Sequence, residues 1–279
     1  MVPAEVNRAP DRAPDRVLPR LVATDLDGTL LDPEGRLSER ARQVLDALDA
    51  RGIPVVFTTG RPLRWMTSLW AAVGGHGLAV CSNGAIVYDV EADRVRDIHP
   101  LPRDNALRVA RVLRERIPGV TFAIEHSEGW ASEVDFPGHP DDRTGKHRGR
   151  FEEIYRDDVA KLLAVHRERE PEEFWAEVER LVGDVVTTTW SSSYALVEMS
   201  GLGVTKATSL ARLATELGVA PEEVVAFGDM PNDLPMLGWA GTSYAVANAH
   251  ASVLETADHV VPGNAEDGVA VTLGEIFGL

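Results

Sequence analysis

The sequence predicts an α/β fold in which one parallel-sheet domain is interrupted by an inserted α+β domain. Short apolar runs alternate with amphipathic helical patterns at both ends of the chain, which is typical of a parallel sheet covered by helices. Between these ends, alternating strands separated by helices indicate a mostly antiparallel sheet. We therefore expect residues 20–84 and 200–279 to form one core domain, with residues 85–199 inserted as the second.

The first part of the core contains three predicted strands. The apolar residues 21–23 form the first, and residues 53–57 and 78–81 form the next two. Between the first two strands, Ser38 is placed to cap a helix with one apolar face, which Gly52 ends. Polar residues follow each strand, at the sheet edge where ligands bind in open α/β sheets.

The insert and the last part of the chain follow different patterns. The elements predicted in the insert are strands at 121–125, 160–165, 185–190 and 194–197, and helices at 105–116 and 171–182. Residues 135–149 are rich in Gly, His, Pro and charge, which predicts a mobile loop. After residue 204 the parallel pattern returns with a helix to 218, a strand at 224–227, a helix after 232, and strands near 244–247 and 259–261.

Composition limits the classes of function. A formal charge of −16 argues against nucleic acid or an anionic membrane as the main partner. Cys81 is the single cysteine and lies in an apolar run, which predicts a core thiol and fits a reducing cytoplasm. No run reaches the ~18 apolar residues of a transmembrane helix. We expect residues 1–19 to be a disordered tail, because they contain no apolar segment.

Two aspartates at the end of the first strand are the first candidate site residues. Asp25 and Asp27 lie in the segment T-D-L-D-G-T-L-L-D, directly after the apolar run. Side chains two residues apart on an extended segment point the same way, so the two carboxylates would repel each other in a dry site. A bound cation or a shared proton relieves this repulsion, whereas the structural alternative is a pair of turn aspartates that solvate a loop.

A second acidic segment follows another predicted strand. Asp229 and Asp233 lie in G-D-M-P-N-D, at the same edge of the predicted sheet as Asp25. Asp25, Asp229, a backbone carbonyl and water would make an oxygen-only site suited to Mg²⁺. Taken alone, the second segment is equally typical of a helix cap, because Asn and Asp commonly occupy that position.

Thr59 and Lys206 complete the candidate site. Thr59 ends the second strand beside Gly60, and its hydroxyl and the local backbone N–H groups suit a phosphate oxygen. Lys206 begins a helix, where the helix dipole disfavours a cation, so a role beside the carboxylates and a bound anion explains it. The structural alternatives are a threonine turn that caps the next helix and a solvated surface lysine.

The motifs D-L-D-G-T-L-L-D, T-T-G-R, S-N-G-A, G-V-T-K and G-D-M-P-N-D-L-P-M-L, in this order, resemble the haloacid dehalogenase superfamily. The length and place of the insert resemble its Cof-type, C2-cap (subfamily IIB) phosphatases, with a Rossmann-like core and a C2B-type cap. The late segments A-N-A and N-A-E-D-G-V are also similar to that branch. The match spans residues 20–279 but is specific only in the core. Two departures are Met230-Pro231 and residues 199–204 before the lysine.

The resemblance implies a catalytic role for the paired aspartates. Asp25 would be the nucleophile that forms an aspartyl-phosphate. Asp27 would protonate the leaving alcohol and then deprotonate the hydrolytic water. Mg²⁺ would be held by Asp25, the carbonyl of Asp27 and Asp229, with Asp233 through water.

The resemblance also implies a phosphate-binding set around these groups. Thr59, with Gly60, and Lys206 would bind the transferring phosphoryl group. Asn83 would lie at the junction with the insert, within reach of the phosphate. Asn232 would orient Lys206 or the groups around the metal. In the insert, where no motif identifies substrate contacts, the candidates are His126, His139, His147, Trp130 and Lys161.

The function expected from the resemblance is a cytoplasmic, Mg²⁺-dependent phosphatase of a small phosphorylated metabolite, acting as a monomer or weak homodimer. A sugar phosphate comes first among its substrates, with flavin mononucleotide or pyridoxal phosphate as alternatives. The other readings are a phosphosugar mutase of the same fold and a non-catalytic phospho-ligand-binding protein. A phospho-acceptor switch also combines Asp, Mg²⁺, Thr and Lys, but lacks so long an insert and an Asp two positions after the acceptor.

Overall fold

The computed structural model describes residues 18–72, 77–137, 147–190 and 192–279. Residues 1–17 of the expected disordered tail lie outside the described residues. The strands are, in chain order, β1 (Leu21–Asp25), β2 (Val55–Thr58), β3 (Leu78–Cys81), β4 (Ile86–Asp89), β5 (Arg94–Ile98), β6 (Thr121–His126), β7 (Gly129–Ser132), β8 (His147–Arg148), β9 (Val159–Val165), β10 (Val186–Thr189), β11 (Leu196–Gly201), β12 (Val224–Gly228), β13 (Thr242–Val246) and β14 (His259–Val261). The α-helices are α1 (Glu39–Ala50), α2 (Thr67–Ala72), α3 (Arg103–Arg116), α4 (Phe151–Ile154), α5 (Pro171–Val182), α6 (Lys206–Glu216), α7 (Leu234–Trp239), α8 (Ala251–Thr256) and α9 (Gly268–Phe277).

The core domain is built on an eight-stranded sheet. Its strand order is β14-β13-β12-β1-β2-β3-β4-β5, and the six strands from β14 to β3 are parallel. Alternate residues of β1 point to opposite faces, so Val22 packs with α1 and α9 while Leu21 and Ala23 pack with α6 and α7. Helices therefore cover both faces, and the predicted parallel α/β core is confirmed.

The sheet membership of two strands differs from the expected domain boundary. Residues 85–199 were expected to form the insert, but β4 and β5 pair antiparallel beyond β3 and belong to the core sheet. The turn at 82–84 reverses the chain tightly, with positive φ at all three residues, so β4 returns beside β3. The change of sheet therefore falls after β5, and the second sheet continues through β11 to Gly201.

The inserted domain, called the cap below, has a six-stranded sheet in the order β10-β11-β9-β6-β7-β8. All of its pairings are antiparallel except that of β7 with β8, as the predicted mostly antiparallel sheet requires. Helices α3 and α5 pack on one face, against residues such as Leu162 and Ala164 of β9. The opposite face of the sheet, which carries Lys161, Leu163 and Val165, is turned toward the core.

Most predicted elements agree with the structure to within a few residues. Ser38 caps α1 as expected, since its hydroxyl accepts the N–H of Ala41 at 3.0 Å. Of the loop expected at 135–149, residues 138–146 lie outside the described residues, and 147–148 form the short strand β8. Within the described ranges, no helix has the length and apolar character needed to cross a bilayer.

Candidate active site

Four neighbouring strands of the core sheet deliver the predicted site residues to one edge. Asp25 is the last residue of β1, and Asp229 follows β12, its neighbour on one side. Thr59 follows β2 and Asn83 follows β3, on the other side. Because the parallel strands end together, residues separated by up to two hundred positions meet at the carboxyl edge of the sheet.

Lys206 lies buried among the carboxylates. Its side chain is only 1% exposed, and its Nζ donates to Asp25 Oδ1 at 2.5 Å and to Asp233 Oδ1 at 2.6 Å. The hydroxyl of Thr205 caps α6 by accepting the N–H of Thr208, which fixes the first turn that carries Lys206. The alternative of a solvated surface lysine is therefore wrong.

The two later aspartates are held differently. Asp233 is fully buried, and its Oδ2 accepts the N–H groups of Asp229 and Met230, each at 3.0 Å. With Oδ1 bound to Lys206, both oxygens of Asp233 have protein partners. Asp229 Oδ1 accepts the hydroxyl of Thr29 at 2.8 Å. Asp233 therefore orders the loop and the lysine, whereas Asp229 faces the acidic turn after β1.

Burial and mutual repulsion change the protonation of these groups. Burial, together with the charges of Asp233 and Asp229, raises the pKa of Asp25 well above its ordinary value, although Lys206 opposes the rise. Burial and the charge of Asp233 raise the pKa of Asp229 to about 6. Burial alone would lower the pKa of Lys206, but Asp233 and Asp25 outweigh it and raise the pKa. The site thus contains more negative charge than Lys206 balances.

The donor set fits a hard divalent cation. Asp25, Asp229 and Asp233 each offer a carboxylate oxygen, and the three oxygens lie within 4.8 Å of one another. Three buried carboxylates beside one ammonium leave an excess of negative charge that a cation would neutralise. All of these donors are oxygens, which Mg²⁺ and Ca²⁺ prefer over softer ligands. The site can therefore hold a divalent metal, as the acidic motifs predict.

Gly28 lies directly against the Asp229 carboxylate of this candidate metal site. Its φ is +78°, and a Cβ added there would overlap the Asp229 carboxylate at a distance that real Cβ atoms do not reach. We therefore expect Gly28→Ala to displace Asp229 and to lower turnover by about 10²-fold, as small misplacements of catalytic groups do. Steady-state kinetics measured across a metal titration would check this result.

Gly52→Ala is the matched control for this substitution. Gly52 has a similar φ of +68°, but a Cβ added there would meet open space in the described structure. Its alanine variant should show only the strain of a left-handed residue, about 1–2 kcal/mol, with unchanged kinetics. Equal activity losses in the two variants would mean that backbone strain, and not contact with Asp229, is responsible.

Asp27 is paired with a residue to which the motif analysis assigned no role. Arg61 donates to both of its carboxylate oxygens, from Nε at 2.7 Å and from a terminal nitrogen at 2.5 Å. The hydrogen bond to Asp27 raises the pKa of Arg61. Asp27 is half exposed and lines the same cavity as Asp25, so the two expected catalytic carboxyls share one chamber.

Thr59 and Gly60 lie between this chamber and the cap. Thr59 Oγ1 accepts the N–H of Arg61 at 3.0 Å, so the turn-capping interaction exists, and the hydroxyl proton can still be donated elsewhere. Gly60 lines the chamber, and its carbonyl accepts a hydrogen bond from Lys161 of the cap at 2.7 Å. Contact of Thr59 and Gly60 with a phosphoryl group stays a prediction.

Asn83 is bonded to the cap rather than left open toward the chamber. Its Nδ2 donates to Glu198 Oε2 at 2.8 Å and to Thr189 Oγ1 at 3.0 Å, and its Oδ1 accepts from Asn232 at 3.1 Å. Asn232 Oδ1 is buried without a hydrogen-bond partner among the described residues. Asn83 and Asn232 also line a smaller cavity with Lys206. Their expected contacts with phosphate and lysine stay predictions.

We call the buried polar contacts between cap and core the polar seam, defined by Gly60, Arg64 and Asn83 on the core side and Glu125, Lys161 and Glu198 on the cap side. Lys161 Nζ lies 3.0 Å from Glu125 Oε2 and also bonds Glu198. Arg64 bonds Glu125 at 3.1 Å. Lys161 was a candidate substrate contact; it lines the chamber, and its Nζ makes these buried contacts.

The other cap candidates have different positions. Trp130 lines the chamber and is buried. His126 is near Asp158, with Nδ1 4.0 Å from its carboxylate, and burial lowers the pKa of His126. His147 is exposed in β8. His139 lies outside the described residues.

Several residues that order the site were assigned no role by the motif analysis. Thr29 and Arg61 lie inside the quoted motifs D-L-D-G-T-L-L-D and T-T-G-R, which offered a signal for them. Asn248, from the late segment A-N-A, follows β13 at the same edge of the sheet and holds the acidic turn by donating to the carbonyl of Gly28 at 2.8 Å. Glu125 and Glu198 have no motif, and only the fold brings them to Lys161.

The fold places the chain among α/β enzymes whose inserted domain covers a buried carboxylate site. Residues 22–273 match the model of the haloacid dehalogenase-like hydrolases, and the chain belongs to this family. A sugar phosphatase of haloacid dehalogenase subclass IIB, BT4131, has the same fold. Its TM-score is 0.78 at 22% identity, and the match covers 93% of this chain and 99% of that one. The predicted Cof-type branch, the predicted hydrolase class and the predicted fold class are confirmed.

Several similar proteins are named for the phosphate ester that they hydrolyse, among them the following two. The 5-amino-6-(5-phospho-D-ribitylamino)uracil phosphatase YcsE of Bacillus subtilis is 30% identical over 252 residues, which cover 90% of this chain and 93% of that protein. The pyridoxal phosphate phosphatase YbhA of Escherichia coli is 29% identical over 267 residues, which cover 90% of this chain and 96% of that protein. Both relatives are thus aligned along nearly their whole length.

Proposed function

We propose that this hydrolase is a Mg²⁺-dependent phosphatase that cleaves a small phosphorylated metabolite through an aspartyl-phosphate intermediate. The observation that carries the proposal is the buried cluster of Asp25, Asp229 and Asp233 around Lys206. This cluster adjoins a chamber of about 550 Å³ between core and cap, large enough for a small-molecule leaving group. The relatives named as phosphatases support the same reaction class.

Asp25 performs the first substitution at phosphorus. Its carboxylate oxygen forms a bond to phosphorus while the bond from phosphorus to the alcohol oxygen breaks, which leaves the phosphoryl group on Asp25. Lys206 holds the Asp25 carboxylate in place and offsets the charge that collects on the phosphoryl oxygens. Thr59 and the backbone around Gly60 supply further donors for these oxygens.

Asp27 supplies and then removes the proton. It donates its proton to the departing alcohol oxygen, and as a carboxylate it takes a proton from the water that attacks the phosphoryl group. The bond from phosphorus to Asp25 then breaks, releasing inorganic phosphate and restoring the Asp25 carboxylate. Because Arg61 now binds Asp27 through both oxygens, the acid step requires Asp27 to exchange this partner for the leaving-group oxygen.

Asp25, the Asp27 carbonyl and Asp229 would hold Mg²⁺, with Asp233 contributing through water. When bound, the ion neutralises the charge of the nucleophile and of the phosphate. Both oxygens of Asp233 have protein partners, which fits a residue that would contact the ion only through water. The cation also explains why so much negative charge can be buried at one sheet edge.

The leaving group was expected to be a sugar, with flavin mononucleotide and pyridoxal phosphate as alternatives. The two named relatives act on a ribitylaminouracil and on pyridoxal phosphate, and both compounds contain a planar nitrogen ring. These relatives favour the alternatives over a simple sugar phosphate. We further propose that the enzyme works in the cytoplasm, which its free, buried Cys81 supports, and that it acts as a monomer or weak homodimer.

Metal dependence is the direct test of the proposal. We expect phosphate release from a panel of phosphate esters in Mg²⁺ and a loss of about 10²-fold or more in EDTA, because the buried carboxylates then repel the substrate. Mg²⁺ should also raise the melting temperature of the wild type, and this shift should shrink in Asp229→Asn. Folded protein that releases no phosphate from any ester in Mg²⁺ would contradict the proposal.

Asp27→Asn tests the proton-transfer role. We expect turnover of an alkyl phosphate to fall by about 10²–10⁴-fold, because one residue serves as acid and as base. With p-nitrophenyl phosphate the first step needs little protonation, so one equivalent of nitrophenol should appear in a burst before slow turnover. Asp46→Asn, on the exposed face of α1, is the control. Full turnover of the alkyl ester by Asp27→Asn would disprove the assignment.

A further inference from the structure

The chamber between cap and core changes character along its length. Its apolar wall includes Trp65, Trp130, Phe136, Leu163, Val165 and Leu196. Trp65 comes from the turn after β2 and is half-buried, so part of its ring faces the chamber. The rings of Trp130 and Phe136 lie 6.2 Å apart, edge to face, and both line the chamber from the cap side. The wall is thus aromatic on both the core side and the cap side.

Strand register places the apolar wall at a defined distance from the phosphoryl end. Lys161, Leu163 and Val165 alternate along β9 and point to the same face. Lys161 bonds Gly60 beside the predicted phosphate site, whereas Val165 lies four residues farther along, roughly 13 Å away. The chamber is therefore polar where the phosphate would lie and apolar beyond it.

We call the charged end of the chamber its floor, and each of the cations there, Arg61, Arg64 and Lys161, contacts a carboxylate. Arg64 and Lys161 contact Glu125, Lys161 also contacts Glu198, and Arg61 contacts Asp27. The carboxylates that line the chamber outnumber its three cations, so a second anionic group on the substrate would meet net negative charge; these carboxylates are Asp25, Asp27, Glu125, Glu198 and Asp229. The floor therefore favours a leaving group without negative charge.

The wall also offers few partners for hydroxyl groups. Beyond the floor, the hydroxyl-bearing lining residues in the described part of the chain are Ser192 and Tyr194. A hexose would bring several hydroxyls against this wall, and hydroxyls buried without hydrogen bonds lower affinity. A planar ring loses little in the same place and gains by stacking on aromatic side chains.

We propose that the chamber selects phosphomonoesters whose leaving group carries a planar heteroaromatic ring and no net negative charge, and that Trp65 is the residue that binds this ring. This inference rests on the proposed phosphatase function and specifies its substrate class. The phosphate lies at Asp25, a linker crosses the polar floor, and the ring packs against Trp65 beside the Arg64 guanidinium, which lies 5.1 Å from the centroid of the Trp65 ring. The selectivity thus comes from the aromatic wall rather than from a set of hydrogen bonds.

The first measurement compares kcat/KM for four esters in Mg²⁺: pyridoxal phosphate, flavin mononucleotide, glucose 6-phosphate and phosphoglycolate. We expect at least one of the two ring-bearing esters to exceed both others by about tenfold or more, within the range that apolar pockets discriminate. Glucose 6-phosphate tests the cost of hydroxyls, and phosphoglycolate tests the cost of a second negative charge. Preference for either of these two would overturn the inference.

The second measurement uses matched tryptophan variants. Trp65→Ala should lower kcat/KM for the preferred ring-bearing ester about fivefold to tenfold, mainly through KM, and Trp65→Phe should retain most of it. Glucose 6-phosphate should change little. Trp70→Ala is the control, because Trp70 is also half-buried but lies on α2 outside the chamber, with its ring stacked on Tyr88.

The outcomes separate this inference from the function on which it rests. Equal losses for all esters in Trp65→Ala would assign Trp65 a structural role and overturn the inference, while metal-dependent phosphate release would leave the phosphatase intact. Absence of release from every ester would instead reject the phosphatase. Binding of pyridoxal phosphate to the inactive Asp25→Asn protein, measured by calorimetry, gives a readout independent of turnover, and it should weaken in Trp65→Ala.

Discussion

Asp25→Asn should abolish phosphate release while the protein stays folded. The asparagine cannot attack phosphorus, and loss of a catalytic nucleophile typically lowers kcat by about 10⁴–10⁶-fold. The fold should survive because an amide fits the same space and removes one of three crowded carboxylates. Its oxygen can still accept the hydrogen bond from Lys206. Turnover kinetics, with circular dichroism to monitor folding, would check both expectations.

The control for this variant removes a carboxylate elsewhere. Asp46→Asn changes the same chemical group on the exposed face of α1 and should leave kcat and KM unchanged. A second readout is covalent: wild-type protein quenched with acid during turnover should carry one phosphoryl group on Asp25, and Asp25→Asn should carry none. Unchanged turnover by pure Asp25→Asn would disprove the nucleophile assignment.

Lys206→Met should lose both activity and stability. The substitution leaves Asp25, Asp229 and Asp233 buried within 4.8 Å of one another without their cation. Breaking a buried pair in this way typically costs about 3–5 kcal/mol in the free energy of unfolding. Because Mg²⁺ would restore positive charge, we expect the loss to be larger in EDTA than in Mg²⁺. Denaturant unfolding in the two conditions would measure the difference.

Lys161→Met distinguishes a site effect from the general cost of losing a buried lysine. Lys161 is as deeply buried as Lys206 and also contacts two carboxylates, but these are Glu125 and Glu198 of the cap. We expect a comparable loss of stability that Mg²⁺ does not reduce. If the Lys206→Met deficit were equal with and without Mg²⁺, the metal site would not involve the carboxylates that Lys206 contacts.

The elements with strong local signals were predictable from the sequence. The helix capped by Ser38 and the strand at 78–81 were placed correctly because capping chemistry and apolar runs are local. The boundary at residue 85 was wrong because a strand of the core edge and a strand of the cap have the same alternating pattern. Only the pairing of β4 with β3, set by the tight turn at 82–84, separates them.

The site residues likewise separate into those that local motifs predict and those whose contacts depend on the tertiary fold. Asp25, Asp229 and Lys206 could be expected together, because strand ends in a parallel sheet converge and the motifs mark those ends. Asn83 carries a motif signal too, yet its amide binds Glu198 of the cap. Such contacts depend on how the cap sheet lies over the core, which no local pattern encodes.

The polar seam has a consequence for how readily cap and core can separate. Each group buried in it, including Lys161, Glu125 and Glu198, regains hydration when the two domains part. Because hydration of ions roughly compensates the loss of their pairing, separation should cost far less than exposing an apolar interface, at about 25 cal/mol per Å². A polar interface of this kind lets a bulky product alcohol leave after each turnover without unfolding of either domain. We therefore expect such an enzyme to have product-release kinetics that are sensitive to solvent viscosity and only weakly dependent on temperature.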